Sequence, residues 1–65
     1  MANRLMQFFK FEHLPPAIQG PSKRCAELAQ WVDETLPETA EKTAGLRKLL
    51  EAKDCFVRAL LEKKE

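Results

Sequence analysis

Apolar side chains recur at helical spacing in two stretches of this chain. In the first, Cys25, Leu28, Ala29, Val32 and Leu36 fall at the i, i+3, i+4 and i+7 steps of one helical face. Trp31 widens that stripe. Gly20-Pro21 reads as a break, and Ser22 just after it is the expected N-cap. Pro37 stops the run, because the residue before a proline is driven out of the helical region. The pattern predicts a first helix over about residues 22–36.

The second stretch places Ala40, Leu46, Leu49, Leu50, Phe56, Val57, Leu60 and Leu61 on one face. Thr39 is its expected N-cap, with Glu38 and Glu41 complementing the positive end of the helix dipole. Asp54 and Arg58 form a favourable i, i+4 pair off the stripe. Gly45 inside the helix costs ~1 kcal/mol relative to alanine. Close approach of another helix or a ligand would explain it, and tolerated accident explains it nearly as well. The predicted helix covers about residues 39–63. Residues 1–21 form an arm carrying Phe8, Phe9 and Phe11, either a frayed helical turn or an extended segment. Pro15-Pro16 ends any helix there, and one turn fits Pro16-Ala17-Ile18-Gln19. No strand signal or repeat interrupts this. The expected fold is all-α: one domain over residues 1–65, an arm followed by an antiparallel helical hairpin with the longer helix second.

The lengths of the two helices leave a problem. About 14 residues span ~21 Å, and about 25 span ~37 Å. The shorter helix cannot cover Phe56, Val57, Leu60 and Leu61. Exposed apolar stripes of this kind mark protein contacts. A chain of 65 residues is also short for a self-sufficient core. Cys25 and Cys55 are too few for a disulfide framework, and with His13 they fall short of a structural zinc site. Other copies of the chain are the remaining remedy, so a homo-oligomer is expected.

Composition narrows the function classes. The chain is 45% hydrophobic and 32% charged, with net charge +1. That balance suits a folded soluble chain, and no apolar run approaches a membrane span. The start lacks the features of a signal peptide, so a cytosolic setting is expected. Charge is uneven: residues 1–32 carry +2, residues 33–41 carry −4 and residues 42–65 carry +3. This is no duplex-DNA stripe, but it suits a small anion. Catalysis is not expected, because no HExxH, CxxC, P-loop or glycine-rich loop is present. Lys23 and Arg24 stand at a helix start, where free amides attract phosphate. Phe11 alternates with Lys10 and Glu12, and an aromatic face stacks on nucleobases. Arg47 follows Thr43 on one face of the second helix, with Arg58 beyond them. The plain alternatives are a solvated basic turn, packing of the arm and surface charge.

The string Phe11-Glu12-His13-Leu14-Pro15-Pro16, with Gln19, Ser22-Lys23, Leu28-Ala29, Trp31 and Leu36-Pro37, carries a resemblance. The run from Glu41 through Leu46-Arg47-Lys48-Leu49-Leu50-Glu51-Ala52-Lys53-Asp54 to Val57-Arg58-Ala59 extends it. Together they resemble the small phage hairpin domain of the anti-CBASS cyclic-nucleotide sponges. The resemblance implies a homohexamer in the cytoplasm of an infected bacterial host, without cofactor, DNA or membrane. It implies sequestration, without cleavage, of cyclic dinucleotides such as cyclic GMP-AMP in pockets between protomers. Phe11 would stack on a base and Lys23 would meet phosphate, and His13 and Ser22 stand in the same motifs as ligand-binding residues. Cyclic trinucleotides would take separate pockets, for which Thr43 and Arg47 are the candidates. Phenylalanine at position 11 stands where tyrosine is common in such domains, so stacking survives and a phenolic hydrogen bond is lost. The rival reading is a helical-hairpin adaptor that binds another protein and no nucleotide.

Overall fold

Two α-helices run antiparallel, joined by a tight acidic connection, and the arm lies across both. The computed structural model describes residues 3–62. The arm is helical: a 3-10 helix spans Arg4–Phe9, and a second short 3-10 turn spans Pro16–Ile18. Asn3 caps the first, its side-chain oxygen accepting from the Leu5 amide at 2.9 Å. Helix α1 spans Gln19–Thr35 and helix α2 spans Ala40–Glu62. The expected all-α hairpin with the longer helix second is therefore present.

The start of α1 differs from expectation. The helix begins three residues earlier, at Gln19, and passes through Gly20-Pro21 without a break. Proline in the first turn removes an amide that has no intrahelical acceptor, so it costs the helix nothing there. Ser22 is accordingly no cap; it lies inside the helix and is buried. Gln19 Nε2 instead ties the helix to the loop before it, donating to the Leu14 carbonyl at 2.7 Å. The end of α1 and the start of α2 follow the sequence, and the expected end of α2 near residue 63 lies outside the described residues. The Leu36 amide closes α1 onto the Val32 carbonyl at 3.0 Å, and Leu36 is extended ahead of Pro37. Thr39 caps α2, its Oγ1 accepting from the Lys42 amide at 3.1 Å.

The core is Phe9, Cys25, Ala29 and Leu46, with Leu5, Met6, Ala26, Val32, Leu49 and Leu50 packed around it. One residue each comes from the arm and α2, and two come from α1. The arm is thus a third wall of the core. Burial pushes the Cys25 thiol above its ordinary range, with Lys53 nearby opposing the shift. Trp31 departs from the predicted stripe and is 57% exposed. It stands two residues past Ala29, ~200° around the helix, and so on the far side. The overhang of α2 is smaller than the predicted lengths implied, because the early start of α1 and the Pro16–Ile18 turn cover more of it. Val57 and Leu60 are half-buried, while Phe56 and Leu61 remain exposed. No helix among the described residues is long and apolar enough to cross a membrane.

A buried ionic knot closes the hairpin's connection. Lys42 Nζ lies 3.2 Å from Asp33 Oδ1 and 2.9 Å from Glu38 Oε1, with only 3% of its side chain exposed. It also donates to the carbonyls of Asp33, at 2.9 Å, and Leu36, at 3.1 Å. Asn3 joins from the arm. Its backbone amide donates to Asp33 Oδ1 at 2.9 Å, and its Nδ2 donates to Glu38 Oε2 at 2.6 Å and Thr43 Oγ1 at 3.0 Å. Two of the four acids at residues 33–41, Asp33 and Glu38, are therefore counter-charges for Lys42.

This knot makes stability depend on pH at both extremes. The Asn3 amide, then Lys42, hold the Asp33 carboxyl below its ordinary 3.8 against the effect of burial. An acid shifted down in the folded chain stabilises above its unfolded value, and that contribution fades as pH falls through the folded value. Lys42 is raised above its ordinary 10.5, chiefly by the hydrogen bond to Glu38, with Asp33 adding to it. A base shifted up stabilises below its unfolded value and loses that contribution as pH rises through the folded one. Denaturant midpoints should be flat near neutral pH, falling below about 3.8 and again above about 10.5. In Asp33→Asn the acid-side fall should shrink, which titrated melts of both proteins would measure.

Candidate nucleotide site

The segment from Lys10 to His13 leaves the arm helix and runs between two concave surfaces. Phe9 anchors it from behind, because its ring is buried in the core. Pro15 and Pro16 fix the exit, and the Leu14 amide closes a turn onto the Phe11 carbonyl at 3.0 Å. Lys10 borders both surfaces.

The first surface is a cavity of about 220 Å³ between the arm, α1 and α2. Lys10, His13, Ser22, Lys53, Asp54 and Arg58 line it, over Leu14 and Val57. Three permanent cations thus face one carboxylate. Lys53 Nζ donates to the Phe8 carbonyl at 2.9 Å and lies 5.9 Å from the Phe9 ring centroid. That is within cation–π range. The expected Asp54–Arg58 pair is not made. Asp54 lies 3.7 Å from Lys53, and Arg58 Nη2 turns to Cys55 Sγ at 3.4 Å. Sulfur is a weak acceptor, so Arg58 is held loosely. The Ser22 hydroxyl is fully buried and has no hydrogen-bond partner among the described residues.

The second surface, about 170 Å³, lies between the arm and α1 and presents Phe11. The ring is half-buried beside Lys10, Glu12 and Gln30. A third concavity, at the start of α1, holds Lys23 and Arg24 with Gly20 and Glu27. The sequence candidates therefore separate. His13 and Ser22 share the cationic cavity. Phe11 faces the neighbouring surface, and Lys23 lies on neither. Within one chain, Phe11 lines the concavity between the arm and α1, and Lys23 lines a different one at the start of α1. Thr43 is engaged in the ionic knot, accepting from Asn3, while Arg47 is exposed one turn further along α2.

No relative guides the reading. The chain matches no family model, no curated protein and no solved structure.

Lys53 was not among the residues singled out in the sequence. It reads there as one more charge beside the apolar stripe, and only the arm folding across α2 gives it a role. Serine and histidine meet in the cavity, yet the serine hydroxyl engages no base, which a base-activated nucleophile requires. Among the described residues no three histidine, cysteine or carboxylate side chains cluster to hold a metal. What the arrangement offers is charge, one free hydroxyl and an adjacent aromatic face.

A separate apolar groove of about 250 Å³ runs on the other side of the hairpin. Leu28, Val32 and Leu36 of α1 face Leu46 and Leu49 of α2 across Gly45. A Cβ on Gly45 would meet nothing within 4 Å, so no close approach inside the chain explains that glycine.

Proposed function

We propose that this chain binds cyclic oligonucleotide second messengers and holds them intact, acting as a sponge that blocks CBASS signalling in an infected bacterial host. The observation that carries this reading is the juxtaposition at Lys10–Phe11. A half-exposed aromatic face stands beside a cationic cavity, with one lysine bordering both. A nucleotide offers the matching pair, a π-face to stack and a phosphate to neutralise. The protein acts as a closed homo-oligomer, a hexamer in this reading. Phe11 of one protomer and Lys23 of another then meet one ligand at the seam. A cyclic dinucleotide, nearly two-fold in shape, suits a pocket built from two copies of one surface. Cyclic trinucleotides would take a second site using Thr43 and Arg47. The protein works in the host cytoplasm.

Calorimetric titration with cyclic GMP-AMP, other cyclic dinucleotides and a cyclic trinucleotide tests this. Binding at micromolar ligand is expected, with unaltered ligand recovered after denaturing the protein. Phe11→Ala and Lys23→Ala should each weaken dinucleotide binding roughly tenfold or more, as loss of one stacked base or one phosphate contact requires. The oligomer mass by light scattering should not change. Absence of binding across the panel would overturn the sponge reading. The groove around Gly45, with exposed Leu28 and Leu36, would then favour a protein-binding adaptor.

A further inference from the structure

We infer that the cavity between the arm, α1 and α2 is a subsite for a single phosphodiester group. Lys10, Lys53 and Arg58 supply its charge, and the Ser22 hydroxyl donates to a phosphate oxygen. This deepens the sponge reading by giving one of the ligand's two phosphodiester groups a place apart from the one that Lys23 would meet, and it rests on that reading for the identity of the natural ligand.

Ser22 is the first ground. Native chains rarely bury a hydroxyl without a partner, because the desolvated group destabilises the fold. Here the hydroxyl is fully buried, unpartnered and part of the lining of a cation-rich cavity. An acceptor oxygen entering the cavity would satisfy it.

The cations are the second ground. They come from two separate parts of the chain: Lys10 follows the arm helix, and Lys53 and Arg58 lie five residues apart on α2. Lys53 spends one of its three donors on the Phe8 carbonyl, and Arg58 spends one of five on a thiol. Both retain donors for an anion.

Size and sign set the ligand class. A cavity of about 220 Å³ is below the usual range for a whole drug-sized ligand and suits one group of a larger molecule. Leu14 and Val57 offer apolar contact to the esterified carbons beside a phosphate. Asp54, half-exposed on the rim, repels negative charge. A singly charged diester is therefore preferred to a doubly charged terminal phosphate. The diester also carries no ionisable proton, so it accepts from every donor present.

The full-length chain, with backbone amides followed by NMR, tests the subsite using dimethyl phosphate, inorganic phosphate and a cyclic dinucleotide as probes. Dimethyl phosphate should shift the signals of Ser22, Lys53 and Arg58. Arg58→Gln and Lys10→Gln should each weaken it roughly tenfold, the usual effect of losing a charge-assisted hydrogen bond. Ser22→Ala should weaken it without lowering the melting temperature, which a purely structural serine would not allow. Asp54→Asn should narrow the preference for dimethyl phosphate over inorganic phosphate. Diester shifts outside the cavity, or affinity unchanged in Arg58→Gln and Ser22→Ala, would overturn the subsite. Cyclic dinucleotide binding that leaves the signals of Lys10, Lys53 and Arg58 in place would also overturn it, while leaving the sponge reading standing. Diester binding in the cavity without cyclic dinucleotide binding would support the subsite and overturn the sponge.

Discussion

Lys42→Met should cost the chain more stability than any other single substitution, leaving much of it unfolded at room temperature. The reason is what stays behind. Lys42 neutralises Asp33 and Glu38 and satisfies the carbonyls of Asp33 and Leu36. Methionine fills similar volume but donates nothing. Asp33, with a side chain only 10% exposed, then keeps its charge against a lone amide from Asn3. Removing one partner of a buried ion pair is far more damaging than removing both, because the survivor is charged, desolvated and unpaired. The knot also joins three elements, so its loss frees the arm and the connection together. Far-UV circular dichroism through a thermal melt would measure the effect. Glu38→Gln should be mild, since that side chain is 56% exposed and water replaces the contact. Asp33→Asn added to Lys42→Met should recover part of the loss by removing the stranded charge. A Lys42→Met protein melting within a few degrees of the native chain would show that the knot is dispensable.

Much of this architecture was legible in the sequence, and the misses have physical causes. The period of Cys25, Ala29, Val32 and Leu46, Leu49, Leu50 gave both helices. The Thr39 cap and the Pro37 stop gave the connection. The start of α1 differs from expectation because Gly-Pro is a breaker within a helix yet harmless in its first turn. That one difference puts Ser22, the expected cap, a turn inside the helix. Spacing puts Leu28 and Trp31 on the apolar stripe, yet both stay about half exposed while Ala29 is fully buried. The knot was hidden for another reason. Asp33, Glu38 and Lys42 read as surface charges, and the contacts that tie Asp33 and Glu38 to the arm come from Asn3, 30 or more residues away. For the site, the resemblance implied Phe11, His13, Ser22 and Lys23 as one set. The fold divides them between three surfaces, because α1 places successive residues ~100° apart. Ser22 turns to the cavity and Lys23 turns away.

Phe9→Ala should be the second most damaging change, at about 3–5 kcal/mol, whereas Phe8→Ala should fall within about 0.5 kcal/mol of the native chain. The two rings are neighbours in sequence and opposite in environment: Phe9 is 2% exposed and Phe8 is 52% exposed. Phe9 is the arm's only fully buried apolar side chain among the described residues, and it closes the core over Cys25, Ala29 and Leu46. Truncation opens a cavity and removes the ring beneath the Lys53 ammonium. Small domains have stabilities at the low end of about 5–15 kcal/mol, so this loss is a large share of the whole. Function should follow, because Phe9 holds the segment that presents Lys10, Phe11 and His13. The contrast with Phe11→Ala separates two kinds of defect. Phe11→Ala should lose ligand while keeping its melting temperature. Phe9→Ala should lose both, and saturating ligand should restore part of its melting temperature by mass action. A Phe9→Ala chain as stable as the native one would mean that the arm does not wall the core, and the cavity beside it would lose its frame.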